Sequence, residues 1–123
     1  MPIVLNHMIV PATDKDAAAT FFAGLLGLSV SPPAGPFAPV RVNAELTLDF
    51  DDRHSVEAGH YAFLVDDDTF DAVLERLRGD ATIDYGSGPE DGWNREINNL
   101  AGGRGVYVSD PNGHSYELFT VVP

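Results

Sequence analysis

The feature that most constrains this chain is an internal repetition of pattern. A strand-like run containing His7 passes through an acidic turn into an Ala-rich amphipathic helix ending near Leu26, and the same order recurs from His60 to Leu77. A helix face and a strand face are each apolar on one side only, so each must be covered by another element. A length of 123 residues points to one compact unit, or to two small halves that share a core, not to two independent domains, and the strands and helices of the repeat make it α+β.

The elements follow from periodicity and capping. Ile3 to Val10 reads as the first strand. Thr13 or Asp14 can cap a helix from about Asp14 to Leu26, and Gly27 can end it. Phe21, Phe22, Leu25 and Leu26 recur at helical spacing and predict a core-facing stripe. Between Val40 and Phe50 the sequence alternates with a period of two. Val42, Ala44, Leu46, Leu48 and Phe50 share one face, and Arg41, Asn43, Glu45, Thr47 and Asp49 the other. Residues 51–55 form a polar linker.

In the second half, Asp66-Asp67-Asp68 supplies a cap for a helix from about Thr69 to Arg78, with Phe70, Val73, Leu74 and Leu77 on its apolar face. The stretch from Gly86 to Gly103 is too long for a plain hairpin and holds the sole tryptophan, Trp93. Two final strands, about Arg104 to Ser109 and His114 to Val122, are joined by Asp110-Pro111-Asn112-Gly113, residues that specify a tight turn.

Composition excludes several function classes. Nineteen acidic against seven basic residues give a formal charge of −12, which repels phosphate backbones and anionic membranes. Nucleic acid and membrane partners are therefore not expected. There is no cysteine, so thiolate metal sites, disulfides and a cysteine nucleophile are ruled out. The N-terminal residues lack a basic region followed by a long apolar run, and the chain reads as cytoplasmic.

Against that background three residues stand out. His7, His60 and Glu117 each interrupt an apolar, strand-like run, and two imidazoles with one carboxylate form a set that holds a divalent metal while leaving positions open. Taken singly, each also suits a solvated polar group at a strand end. His114 alternates onto the parity of Tyr116, opposite Glu117, and falls outside the set; His54 belongs to the polar linker.

The chain resembles the vicinal oxygen chelate superfamily, which groups glyoxalases, bleomycin-resistance proteins and extradiol dioxygenases. The resemblance spans nearly all of it: the early His7, Phe21-Phe22 before Leu26-Gly27-Leu28, the strand Glu45-Leu46-Thr47-Leu48, the His60 strand, Gly102-Gly103-Arg104-Gly105-Val106-Tyr107, and Asp110-Pro111-Asn112-Gly113-His114-Ser115-Tyr116-Glu117-Leu118. It implies paired βαβββ modules, at residues 1–53 and 57–123, with curved mixed sheets around a cavity, commonly assembled as a homodimer. It also implies metal ligands at the positions of His7, His60 and Glu117. Glu45 matches a position that glyoxalase-like members use as a further ligand or base, although a solvent-facing Glu on an alternating strand fits equally.

The chemistry implied is a metal holding two neighbouring oxygens of a small molecule and stabilising the negative charge that develops there. The metal is Zn, Ni, Mn, Co or Fe(II). Tyr107 and Arg104 are candidates to orient a polar group, and Trp93, Tyr85 and Phe37 to enclose an apolar one; packing or surface roles are the alternative for each. One Lys and six Arg are few for a glutathione pocket, which favours an isomerase, epoxide-opening enzyme or dioxygenase over lactoylglutathione lyase. The competing function is a metal-free protein that sequesters a ligand, as bleomycin-resistance members do.

Overall fold

The computed structural model describes residues 2–123. The chain separates into two compact units, residues 1–57 and 58–123.

In the first unit, β1 (His7–Pro11) leads to α1 (Lys15–Leu26), β2 (Ala38–Arg41) and β3 (Thr47–Asp51). Asp14 caps α1 by accepting from the N–H groups of Asp16 and Ala17, both at 3.1 Å. Gly27 ends the helix in the left-handed region at φ 71°, its N–H returning to the Ala23 carbonyl. The sheet order is β1-β3-β2, with β1 parallel and β2 antiparallel to β3. An isolated antiparallel bridge joins Val30 to Val40 on β2. Val10, Phe22, Val40, Leu48 and Phe50 are fully buried or nearly so, and the Phe22 and Phe50 rings meet at 5.8 Å. Burying each such ring contributes on the order of 1.5–3 kcal/mol, so this face of the sheet fixes the unit.

The alternating stretch from Val40 to Phe50 is not one strand. It turns back on itself, because the Asn43 side-chain oxygen accepts from the N–H groups of Glu45 (2.8 Å) and Leu46 (2.9 Å), and the N–H of Val42 donates to the Leu46 carbonyl at 2.8 Å. Ala38 and Val40 then lie opposite Phe50 and Leu48, all four facing the core. The first strand is likewise shorter than expected: residues 2–6 lie outside it, with Ile3, Val4 and Leu5 exposed.

In the second unit, β4 (His60–Leu64), α2 (Asp67–Arg78), β5 (Tyr85–Gly86), β6 (Gly105–Ser109) and β7 (Ser115–Phe119) give the βαβββ order, with a short 3-10 turn at Leu100–Gly102. Asp66 caps α2 through the N–H of Thr69 at 2.8 Å. The sheet order β4-β7-β6-β5 repeats that of the first unit, with the two-residue β5 in the place of the Val30 bridge. Phe70, Val73 and Leu77 of α2 are buried, as are Val106, Val108, Tyr116 and Leu118 of the sheet. The molecule is thus α+β with two helices and two mixed sheets. Among the described residues no helix is long and apolar enough to cross a membrane.

Candidate metal centre

Strand register decides which polar side chains meet. β4 runs parallel to β7 with Ala62 opposite Glu117, and β6 runs antiparallel with Tyr107 opposite the same Glu117. Side chains on one face recur every second residue, so His60, two positions before Ala62, shares the face of Glu117 and Tyr107. The result is a three-residue cluster. Nε2 of His60 lies 3.0 Å from Oε1 of Glu117. The Tyr107 ring stacks on the His60 ring at 5.9 Å with 21° between planes.

Glu117 is the buried member, at 8 % exposure, while the His60 side chain is half-exposed. A carboxylate this deep requires a partner. His60 supplies one and the Tyr107 hydroxyl, donating to Glu117, another. Burial, first, and then the Glu117 charge and this hydrogen bond raise the Tyr107 phenol above its ordinary range, so the proton stays on the tyrosine.

The His60–Glu117 spacing also suits a metal. Two donors each about 2.1 Å from one ion and at right angles stand about 3 Å apart, the separation seen here between a neutral-capable imidazole nitrogen and a carboxylate oxygen. Among the described residues no group of three or more His, Asp or Glu side chains is gathered as a metal site. The second unit itself brings two donors together. His7 belongs to the first unit, at the start of β1 opposite Thr47, where it is exposed. Its Nδ1 lies 3.0 Å from Oδ1 of Asn6.

The remaining candidates occupy other surroundings. Glu45 is exposed in the turn before β3, not within a strand. Arg104 faces α2: it donates to Asp71 at 2.7 Å and Asp67 at 3.0 Å, with its guanidinium 4.6 Å from the centre of the Phe70 ring. Phe37 is half-buried beneath the Arg53 guanidinium. Tyr85 is buried and covered by Arg95 at 4.5 Å. Trp93 is 44 % exposed in the long loop.

Sequence reasoning passed over Arg95 and Asn6. Arg95 holds a left-handed backbone at φ 60° while its side chain donates to the carbonyls of Ile83 and Leu77, both at 3.0 Å, tying the loop to the end of α2. Nothing in the local pattern signals that. Asn6, adjoining His7, was visible but carried no motif.

No family model and no curated protein matches the chain. Solved structures do. The oxidase ChaP-H2 is 46% identical, with a TM-score of 0.89 over 99% of this chain and 96% of its own. The oxidase ChaP-H1 is also 46% identical, with a TM-score of 0.89 over 98% of each chain. A lactoylglutathione lyase from Agrobacterium tumefaciens (21% identical, TM-score 0.72, 97% of this chain and 94% of that one) and the fosfomycin resistance protein FosX from Mesorhizobium loti (21%, 0.69, 99% and 95%) share the fold. The chain belongs to the family of the ChaP-H oxidases, and its fold is that of the vicinal oxygen chelate proteins. The two ChaP-H oxidases match it over nearly the whole chain, whereas the lyase and FosX, at lower identity, speak to the fold alone.

Proposed function

We propose that this vicinal oxygen chelate protein is a metal-dependent oxidase acting on a small molecule with two neighbouring oxygens. His60 and Glu117 of the second unit supply two protein ligands, and His7 of the first unit is carried as a further candidate ligand. The observation that carries the reading is the 3.0 Å spacing of His60 Nε2 and Glu117 Oε1 on one sheet face, beside 46% identity to two proteins described as oxidases.

A divalent metal bound there supplies a centre on which adjacent substrate oxygens are held and their developing negative charge is stabilised. The oxidation has dioxygen as its electron acceptor, which favours iron, manganese or cobalt over redox-inert zinc. The chain's own part is to orient and to exclude water. Glu117 is held deep in the sheet by its neighbours. Tyr107 keeps its proton directed at that carboxylate and stacks its ring on His60. Ala62 and Leu64, on the same face and exposed, offer apolar contact to the rest of a substrate. A homodimer in the cytoplasm is part of the same reading.

A second reading, a metal-free binding protein, draws on the same pair, since His60 and Glu117 satisfy one another without an ion. Metal-stripped protein reloaded in turn with Fe(II), Mn, Co, Ni and Zn separates the two. About one ion per chain, lost in His60→Ala and Glu117→Ala, with oxygen uptake on adding a catechol probe, is the oxidase outcome. No stoichiometric ion in the unmodified protein overturns it and leaves sequestration.

A further inference from the structure

We propose that Asn6 is a positioning residue that fixes His7 as the Nδ1–H tautomer, leaving Nε2 as a bare lone pair; its bearing on metal binding rests on the function proposed above. The Asn6 side chain has one donor end and one acceptor end. The end lying 3.3 Å from the Glu45 carbonyl must be the NH2 group, because a carbonyl only accepts. The other end is therefore the oxygen, and it faces His7 Nδ1 at 3.0 Å. Only a protonated Nδ1 makes a hydrogen bond there.

Both ends of this relay are anchored. The Asn6 backbone carbonyl accepts from the N–H of Thr47 at 2.9 Å, the contact that opens the β1–β3 pairing. The Glu45 carbonyl is held by the turn in which Asn43 accepts from two successive N–H groups. Asn6 can thus neither slide along β3 nor rotate its amide without losing a bond. His7 is exposed, and a free imidazole in water prefers its proton on Nε2, so without Asn6 the ring would sit mainly in the opposite tautomer. An oriented ring with a bare Nε2 is the form a metal takes up, and partners that set it typically alter affinity by about 10–100-fold.

The decisive measurement needs no metal. Nitrogen NMR of metal-stripped, 15N-histidine-labelled protein at about pH 8.5, above the ordinary imidazole range, reads each ring nitrogen directly. The expected result is a protonated Nδ1 and bare Nε2 for His7, reversing in Asn6→Ala and retained in Asn6→Asp, with unchanged melting in each variant. A protonated Nε2 in the unmodified protein, or no response to Asn6→Ala, overturns the proposal. Competition of Mn or Zn against a chelator then gives the functional consequence: Asn6→Ala binds about 10–100-fold more weakly. If the tautomer behaves as expected but no variant, nor the unmodified chain, binds metal, the oxidase reading fails while the Asn6 assignment stands.

Discussion

The backbone N–H of Gly59 donates to Nδ1 of His114 at 2.8 Å, joining the residue before His60 to the turn that leads into β7. His114 is wholly buried, and its own N–H donates to Asp110 at 2.7 Å, so the same turn that shapes Asp110-Pro111-Asn112-Gly113 also sets where β4 begins. Tyr61 closes the arrangement, its ring edge-on to His114 at 5.5 Å and so close to Gly59 that a Cβ there would stand 2.8 Å from the tyrosine oxygen.

Replacing His114 by Leu keeps the volume but leaves the Gly59 N–H without its acceptor inside the protein. The expected cost is about 1–3 kcal/mol of unfolding free energy. His114→Asn, whose oxygen falls near the place of Nδ1, should recover part of it. Denaturant unfolding of the three proteins checks this, and equal losses in both variants would mean that the acceptor is not what matters.

The carboxylates differ in role by their placement. Glu117 is buried and touches His60, whereas Glu45 is exposed in a turn and meets Asn6 through its backbone carbonyl. Under the proposed function, Glu117→Ala abolishes metal uptake, while Glu45→Ala leaves it within about twofold, because the backbone contact survives the substitution. Inductively coupled plasma analysis of both variants after reloading decides it. Loss of metal in Glu45→Ala would make its side chain a ligand.

Much of this was legible in the sequence, and the exceptions have local causes. Capping by Asp14 and Asp66 and the apolar faces of both helices follow from spacing, whereas the shared face of His60 and Glu117 is set by the register of β4 on β7, which spacing within either strand does not give. The turn at Asn43 was hidden because the alternation of apolar residues runs straight through it, and only the Asn43 side chain marks the reversal. The first strand stops short at His7 because its partner β3 begins at Thr47, leaving Ile3 to Leu5 no strand to pair with. Arg104 stood between glycines in a run whose sequence offered it as a candidate to orient a polar group. What claims it is a pair of acids one helical turn apart, Asp67 and Asp71, which no reading of the Arg104 neighbourhood alone reveals.

The contacts of Arg104 place it to contribute stability. Arg104→Ala removes two surface ion pairs and the contact over Phe70, and should cost about 1–2 kcal/mol, as exposed pairs contribute little and the cation–π contact somewhat more. Under the proposed function, oxygen uptake and metal content should not change. A selective rise in KM with unchanged melting would instead place Arg104 at the substrate.

Acid sensitivity has an identifiable source in the first unit. Two hydrogen bonds from the Arg53 guanidinium, both at 3.0 Å, hold the Asp51 carboxyl down at about 2, against an ordinary 3.8. A depressed folded value means that the unfolded chain takes up the proton first. The stabilisation from this pair is complete above about pH 4 and is lost as pH falls towards 2. Asp51→Asn should be less stable at neutral pH and show a shallower decline between pH 4 and 2 than the unmodified protein. Chemical denaturation across that window checks the slope, and parallel curves would assign the acid limb to other carboxylates.

The last expectation concerns the tyrosine beside the proposed centre. Tyr107→Phe keeps the ring that stacks on His60 and removes only the hydroxyl that donates to Glu117. The carboxylate then loses one of its two partners and the direction that partner imposed. Hydrogen bonds to a ligating carboxylate typically change metal affinity by about tenfold or more, so Tyr107→Phe should bind Mn or Zn at least about tenfold more weakly and lose about 1–3 kcal/mol of unfolding free energy with the hydrogen bond to the buried carboxylate. Ultraviolet titration gives an independent check, because removing Tyr107 should delete a phenol that ionises above the ordinary range of about 10. Undiminished affinity in Tyr107→Phe would show that His60 alone suffices to aim Glu117.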